Sequence, residues 1–504
     1  MTVNSVGPLP PGIDAWVAAQ RWFGRRGHLP VLRSIGEFSL PSVRRGLRLR
    51  TCFVYDTLAE QPVLYQLPLA EYDRLVTGAE CALIGPAPPA GAGSYSYDGT
   101  QDLAYAQALL ALMLDSGSSL DVAGDAHAWG HGAGTVPPGS RVTASRILRG
   151  EQSNTSIICD LVDGSGHADR PVIIKVFRAL QAGENPDVAV QSALATAGSR
   201  LVPEPVGHVT GQWMPREAGS GPLTAPGVVT GHLAAAQEFL PGVQDAWRTA
   251  LAAAEAGEDF RDEARSLGQA TAEVHADLAR VFPRLPATPA LIDGIVRAMR
   301  ARLAAAVLEV SALADCALAA EAIFTRAAAA DWPALQRIHG DYHLGQVLRV
   351  PGRGWVLVDF EGEPLRPLRE RVTPDLALRD VAGMLRSFAY VASTVQRNTP
   401  ERDPVPIARW GAECRGAFLS GYAERSPLDL NHGRAILAAF ELDKAVYETV
   451  YETRNRPDWL PIPLGAVRTL TGGRDTAFTR ATNPALIVAA ALTEPTTADR
   501  RTPR

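Results

Sequence analysis

Three side chains set the chemistry this sequence can do: Asp341, Gln346 and Asp359. They lie in two apolar stretches, residues 338–348 and 355–364, joined by the turn residues Pro351, Gly352, Arg353 and Gly354, a pattern that reads as a hairpin. A carboxylate can take the proton of an attacking hydroxyl, while an amide and a second carboxylate can hold Mg²⁺ against phosphates. That division of labour requires all three groups to converge. An ordinary tight turn, with Asp341 capping a helix and Asp359 ending a strand, would use the same residue types. The coupled spacing favours chemistry: Gln346 is five positions after Asp341 (346 − 341) and Asp359 is eighteen (359 − 341). A zinc reading of His339 and His343 at i, i+4 is weaker, because the intervening Gly340 disfavours a helix and the Glu of H-E-x-x-H is missing.

The basic residues point to two further positions. Of 49 Lys and Arg residues only Lys175 and Lys444 are lysines, in a chain that otherwise uses arginine for every cation. Lysine is a compact point charge suited to a crowded phosphate site, whereas arginine brings a wide planar fork. Lys175 sits inside the β-branched run Val172, Ile173, Ile174, Lys175, Val176, where a buried ammonium needs an acidic partner. Glu184 and Asp187 are the candidates, with Asp187 better placed at a helix start.

These groups need positioning elements, and the chain supplies them in order. A short helix from Asp14 to Gly24 and strands near residues 31–38, 47–57 and 62–69 form a small α+β unit. A Pro/Gly-rich break at 85–94 and a helix at 101–114 follow, then a glycine-rich segment, 130–139, that reads as a linker. Strands recur at 142–148, 156–162 and 172–178. The turn at 149–155 between the first two offers Gly150, Ser153, Asn154 and Thr155 as backbone and hydroxyl donors to phosphate. Residues 201–230 read as strands with long turns, and 236–242 as a strand-to-helix linker. The remainder reads as helices near 266–278, 290–310, 313–330, 376–395, 404–424 and 433–454, with a mobile polar tail at 494–504. His275 reads as a satisfied core residue.

Composition narrows the class. At 504 residues, 46% hydrophobic and 20% charged, the chain reads as a multi-domain soluble globular protein. A net charge of −5 without a basic stripe argues against nucleic acid as a partner. No basic-then-apolar leader is seen, and the late apolar run at 485–492 is too short to span a bilayer. The five cysteines, scattered and without a C-x-x-C pair, read as buried thiols in a reducing compartment. A cytoplasmic protein without membrane contact is the expectation.

Five stretches together carry a family resemblance: residues 20–24 (Gln, Arg, Trp, Phe, Gly), 151–156, 174–178 with 185–187, 339–364 continuing into 378–383, and 441–463. The chain resembles the actinobacterial maltokinases, which belong with the aminoglycoside-phosphotransferase and choline-kinase group of eukaryotic-like kinases. The first four stretches mark the fold and the last is specific to maltokinase. The Asp-to-Gln spacing and the Asp359-Phe-Glu-Gly362 run are similar to the kinase catalytic loop and D-F-G, and Lys175 to the lysine of V-A-I-K. The resemblance implies an α+β, bilobal protein kinase-like fold: an N-terminal cap (1–88), an intermediate segment (89–140), a β-rich lobe (141–242), a helical lobe (243–493) and a tail (494–504). It implies ATP-dependent phosphorylation of maltose at its anomeric hydroxyl for α-glucan synthesis, with ATP and Mg²⁺ as cofactors and a trehalose-processing enzyme as a partner.

Carried over, Asp341 is the catalytic base and Gln346 and Asp359 hold Mg²⁺. Lys175, Ser153, Asn154, Thr155, Asp187, Glu238 and Leu240 serve ATP, the last two from the linker between lobes. His339, His343, Tyr447, Glu448, Tyr451 and Arg454 serve the sugar. Helical spacing puts Lys444, Tyr447, Glu448, Tyr451, Glu452 and Arg454 on one broad side, where aromatic plates between charged groups suit a disaccharide. The same pattern also fits a salt-bridged surface. Two positions depart from the family pattern, Tyr342 where Leu is common and Ala189 where some members carry Glu. A kinase for an aminosugar or aminoglycoside would share every ATP-side residue, and a catalytically silent binding module would retain the fold.

Overall fold

Period-two burial along β10 (Ala168–Phe177) explains where Lys175 points: Val172, Ile174 and Val176 are buried on one face, so the lysine leaves from the other. In the computed structural model the described residues are 6–25, 27–59, 63–88, 93–123, 126–148, 154–214, 227–363 and 368–472. Gly150 and Ser153, the apolar run at 485–492 and the tail at 494–504 lie outside them. The chain divides into two compact units, Met1–Ser192 with Pro203–Pro241, and Ala193–Val202 with Gly242–Arg504.

The first unit is built on two antiparallel sheets. One has seven strands: β1 (Leu32–Leu40), β2 (Leu47–Asp56), β3 (Leu64–Tyr72), β4 (Leu83–Pro86), β5 (Tyr95–Asp98), β6 (Leu120–Ala123) and β11 (Ala179–Leu180). Its order is β4-β5-β3-β2-β1-β6, with β11 pairing on β3. The other runs β7-β12-β13-β10-β9-β8, adding β7 (His127–Gly132), β8 (Arg141–Ile147), β9 (Asn154–Val162), β12 (Pro205–Trp213) and β13 (Val229–Glu238). One core joins them through helix α2 (Leu103–Leu114), and Phe53 meets Trp213 edge-on at 5.9 Å. The unit also holds α1 (Ile13–Ala18) and the start of α3 (Pro186–Thr196).

Three expectations change here. Helix α1 stops at Ala18 rather than Gly24, because Trp22 and Phe23 turn inward against Tyr65, each with ring centroids 5.7 Å away. The glycine-rich segment is not all linker: Gly130–Gly132 end strand β7. The glycines there let the strand lie on α2, since a Cβ on Gly130 would come within 1.7 Å of the Leu112 carbonyl oxygen. Finally, Cys81 is exposed in a 3₁₀ turn, Glu80–Ala82, while the other four thiols are buried.

The second unit is helical around a small sheet, β14 (Gln244–Asp245), β15 (Val347–Val350) and β16 (Gly354–Leu357). Its helices are α4 (Ala246–Ala256), α5 (Arg261–Val281), α6 (Pro289–Glu309), α7 (Ala317–Ala328), α8 (Leu368–Arg371), α9 (Ala377–Asn398), α10 (Pro404–Arg425), α11 (Arg434–Asn455) and α12 (Pro461–Leu470). Helix α9 is central: Val381, Leu385, Phe388, Ala392 and Val395 recur at three- and four-residue spacing and are all buried. Residues 193–202 belong to this unit because Leu357 N–H donates to Leu201 O at 2.7 Å and Arg353 donates to Arg200 O at 2.7 Å. Among the described residues no helix is long and apolar enough to cross a membrane.

Candidate active site

The hairpin β15–β16 pairs Val347 with Leu357, and Val358 N–H donates to Gln346 O at 3.0 Å. Its open end therefore sets Gln346 beside Asp359, and the Gln346 amide nitrogen donates to Asp359 Oδ2 at 3.0 Å. Asp359 has φ +69°, a left-handed conformation that costs a side-chain-bearing residue energy and that clusters at functional sites. The turn after it comes close to the loop that carries Asp341: a Cβ on Gly340 would stand 3.2 Å from the Cα of Gly362.

Asp380, near the start of α9, holds that loop. Its Oδ2 accepts from His339 N–H at 2.8 Å and its Oδ1 from Gly340 N–H at 2.9 Å, while His275 Nε2 lies 3.0 Å from Oδ2. Burial pushes the Asp380 carboxyl up, but His275, His339 and the Gly340 N–H outweigh burial and hold it below the usual carboxylate range. His275 also meets the Tyr422 hydroxyl at 2.9 Å, so it is a satisfied core histidine. His339 spans the two stretches, its Nε2 3.0 Å from Val358 O and its ring 4.6 Å from that of Phe360. His343 Nδ1 accepts from Gly345 N–H at 3.1 Å, capping the 3₁₀ turn Leu344–Gln346. Tyr342 is buried, its hydroxyl 2.8 Å from Thr271 Oγ1.

Asp341 itself is bound from a helix 103 residues away in sequence: Lys444 Nζ on α11 donates to Asp341 Oδ1 at 3.0 Å. The same ammonium donates to Glu363 Oε1 at 2.8 Å. Burial alone would lower the Lys444 pKa, but the carboxylates of Asp341 and Glu363 reverse this and hold it above its ordinary value. Lys444 also lies over the Tyr447 ring, 5.0 Å from its centroid, and Tyr447 stacks with Tyr451 at 6.4 Å and 19°.

The rest of the α11 face is divided by its partners. Glu448 accepts from Arg386 at 2.8 Å, Glu441 pairs with Arg415 at 2.7 Å, and Glu452 pairs with Arg456 at 2.6 Å while accepting from the Tyr390 hydroxyl at 3.1 Å. Arg454 departs from the group, since its guanidinium is spent on Glu309 at 2.7 Å in an exposed pair. Arg456, two residues on, is the arginine that covers the aromatic groups, 5.8 Å from the Tyr451 ring centroid and 4.9 Å from that of Trp459.

In the first unit Lys175 Nζ donates to Asp187 Oδ2 at 2.9 Å, so Asp187, not Glu184, takes the lysine. Asp187 Oδ1 accepts from Gln191 at 2.5 Å, and its backbone N–H is capped by Asn185 Oδ1 at 2.9 Å. Across the sheet Lys175 faces Ser156 on β9 and Ala235 on β13. Thr155 is committed inward: its hydroxyl accepts from Arg178 Nε at 2.8 Å and the residue is buried. Asn154, which opens β9, is half-buried. Glu238 closes β13, its backbone N–H donating to Glu204 O at 2.8 Å, and Leu240 follows it, half-buried.

Sequence spacing brought Asp341, Gln346 and Asp359 onto one hairpin and its approach loop, but it missed Glu363, Asp380 and Arg386, and it assigned Lys444 no contact. The retention of Lys444 as one of two lysines was the available signal. Each of the two lysines is held against carboxylate.

Comparison with known proteins agrees with this geometry. A family model described as the maltokinase N-terminal cap domain matches residues 16–102, and one described as the phosphotransferase enzyme family matches residues 165–424, more than half of the chain. A glucosamine kinase of Streptacidiphilus jiangxiensis is 31% identical over 340 residues, 64% of this chain and 72% of that protein. Another, of Mycolicibacterium smegmatis (strain ATCC 700084 / mc(2)155), is 32% identical over 349 residues, 65% of this chain and 81% of that protein. A solved glucosamine kinase in complex with glucosamine, ADP and inorganic phosphate has the same fold, with a TM-score of 0.61 at 24% identity over 92% of this chain and 100% of that one. The β-rich N-terminal part, the mostly helical C-terminal part and these matches lead to one conclusion: the chain belongs to the phosphotransferase enzyme family and carries a maltokinase-type cap domain at its N-terminus.

Proposed function

We propose that this protein transfers the γ-phosphoryl group of ATP to the anomeric hydroxyl of maltose, giving maltose 1-phosphate for α-glucan synthesis. Relatives named glucosamine kinases and a cap named for maltokinase both support a sugar acceptor, and ADP in a structural neighbour supports the nucleotide. The observation that carries the choice of sugar is the charge balance around α11. Glu441, Glu448 and Glu452 each have an arginine, and Asp341 and Glu363 share Lys444. An aminosugar brings an ammonium group that needs a carboxylate of its own once desolvated. In this set each carboxylate is already in contact with a cation, Lys444 serving two of them, so none stands free for an ammonium, which suits a neutral acceptor, and the stacked Tyr447 and Tyr451 offer apolar plates for two sugar rings.

In this reading Asp341 accepts the proton of the anomeric hydroxyl, and Lys444 fixes the direction of its carboxylate. Lys175 binds the ATP phosphates and Asp187 holds its ammonium in place. The donors at the hairpin end fit Mg²⁺: Asp359 offers a carboxylate, and Gln346, whose amide nitrogen is turned to Asp359, offers a hard amide oxygen. Mg²⁺ held there would neutralise charge on the transferring phosphoryl group.

The relatives' names favour glucosamine as the second reading. An ADP-release assay with maltose, glucosamine, glucose and trehalose at equal concentrations tests both. Preferred turnover of maltose supports the proposal, and preferred turnover of glucosamine replaces it with the second reading.

A further inference from the structure

Helices α9, α10, α11 and α12 line a half-open cavity of about 700 Å³ that includes none of Asp341, Gln346, Asp359 or Lys444 in its lining. That is the size of cavities that take small organic ligands. One end is polar. Arg415 and Glu441 line it, both nearly fully buried, and their ion pair uses Arg415 Nη2 and Glu441 Oε1 at 2.7 Å, while Arg415 Nη1 donates to Leu385 O at 2.8 Å. Among the described residues Arg415 Nε and Glu441 Oε2 have no partner, and neither has Gln396 Oε1, although Gln396 donates from its amide nitrogen to Arg402 O at 3.1 Å. Buried polar atoms of this kind are normally satisfied by a partner. The walls are aliphatic, with Pro400, Pro404, Ile462 and Leu470, and no aromatic side chain among the described residues lines the cavity.

We propose that this cavity is a binding site for a neutral small molecule with an aliphatic or alicyclic body and a hydroxyl head group. At the polar end Arg415 is matched to Glu441 and Arg386 to Glu448, and the other two charged residues of the lining, Arg397 over the Trp459 ring and Asp458, are of opposite sign, so the site carries no net charge for an ionic ligand to answer. A hydroxyl satisfies both orphans at once, accepting from Arg415 Nε–H and donating to Glu441 Oε2. A second hydroxyl donates to Gln396 Oε1. The missing aromatic plate separates this ligand from a stacked sugar ring or nucleobase.

The probe is 1,8-octanediol at low millimolar concentration, with octanoate and octylammonium as charged controls, followed by saturation-transfer NMR and thermal unfolding. The diol is expected to bind and raise Tm, and the charged chains are not. Gly465 on α12 lines the cavity and has open space where a Cβ would stand, so Gly465→Phe adds a bulky side chain to this wall with no clash at its Cβ. This variant, and Ala466→Leu in the same wall, should weaken the diol at least tenfold, roughly, while ADP release with the sugar acceptor is unchanged. No binding by the full-length protein, equal binding of the charged chains, or undiminished binding in both variants overturns the proposal; the last result assigns the diol to another surface.

Discussion

At the scale of single residues, Asp341 and Lys444 carry separable predictions. Replacing Asp341 by Asn keeps the shape and removes the proposed base, so kcat should fall by at least about 10²; near wild-type turnover would reject the role. Lys444→Met acts first on stability, because it strips the cation from Glu363, whose side chain is 4% exposed, and from Asp341, at 20%. Breaking such a pair costs about 3–5 kcal/mol when both charges are buried, and the exposure of Asp341 puts this case near the lower figure. Urea unfolding of Lys444→Met and of Lys444→Met with Glu363→Gln checks this: the double variant should recover part of the loss, and equal losses would sink the account. These residues also mark how far the sequence could be read. Gln346 and Asp359 were legible together because each is the other's partner within one short hairpin. The bond from Lys444 was not, because spacing along α11 gives the direction of a side chain and says nothing of which loop meets it. Arg454 shows the converse: periodicity placed it with the tyrosines, and Glu309 on α6 took it instead.

At the scale of the element, β7, β12 and β13 carry a ladder of imidazoles. His131 and His208 have ring centroids 4.7 Å apart, and His208 and His232 are 5.0 Å apart. Burial first, then the neighbouring His232 and His131, pushes His208 down from 6.5 to about 4. His232 is lowered by burial and by His131, with Glu184 opposing. Its Nδ1 accepts from Asn185 N–H at 2.9 Å, at the cap of the helix that presents Asp187 to Lys175. Both histidines are neutral in the fold, while the unfolded chain takes up protons below about 6.5. Their contribution to stability is therefore complete above that pH and is lost as pH falls towards 4. Denaturation midpoints measured from pH 7.5 to 4.5 should decline through this window, and His208→Gln should flatten the decline. An unaltered slope in that variant would assign the decline to other groups. Spacing along the chain held no hint of the ladder. His131 stood in a glycine-rich segment that read as linker, and only the approach of β7 to α2, allowed by Gly130, puts it beside His208.

At the scale of the whole molecule, the cap match ends at residue 102, but the fold of the first unit does not divide there. Arg178, following β10 and 1% exposed, holds the two sheets of that unit together. Its guanidinium lies over Trp22 at 5.0 Å, donates to Asp98 at 3.1 Å and to Thr100 Oγ1 at 2.9 Å, and reaches Thr155 on β9. The amide nitrogen of Gln66 on β3 donates to Phe177 O at 2.6 Å and to Leu233 O at 2.5 Å, a second link through the shared core. Arg178→Met leaves Asp98, 5% exposed, without its cation, which should cost about 3–5 kcal/mol. Because both sheets share that core, the loss should fall on them jointly. Hydrogen exchange in the variant should show amides of β2 and β3 losing protection in parallel with those of β10 and β13. Retained protection in β10 and β13 while β2 and β3 exchange freely would mean that the cap folds and melts as a domain of its own. Adding Asp98→Asn to Arg178→Met separates the ion pair from the rest: removing the stranded carboxylate should restore part of the stability, and the part it does not restore belongs to the stack on Trp22 and the hydrogen bonds to Thr100 and Thr155.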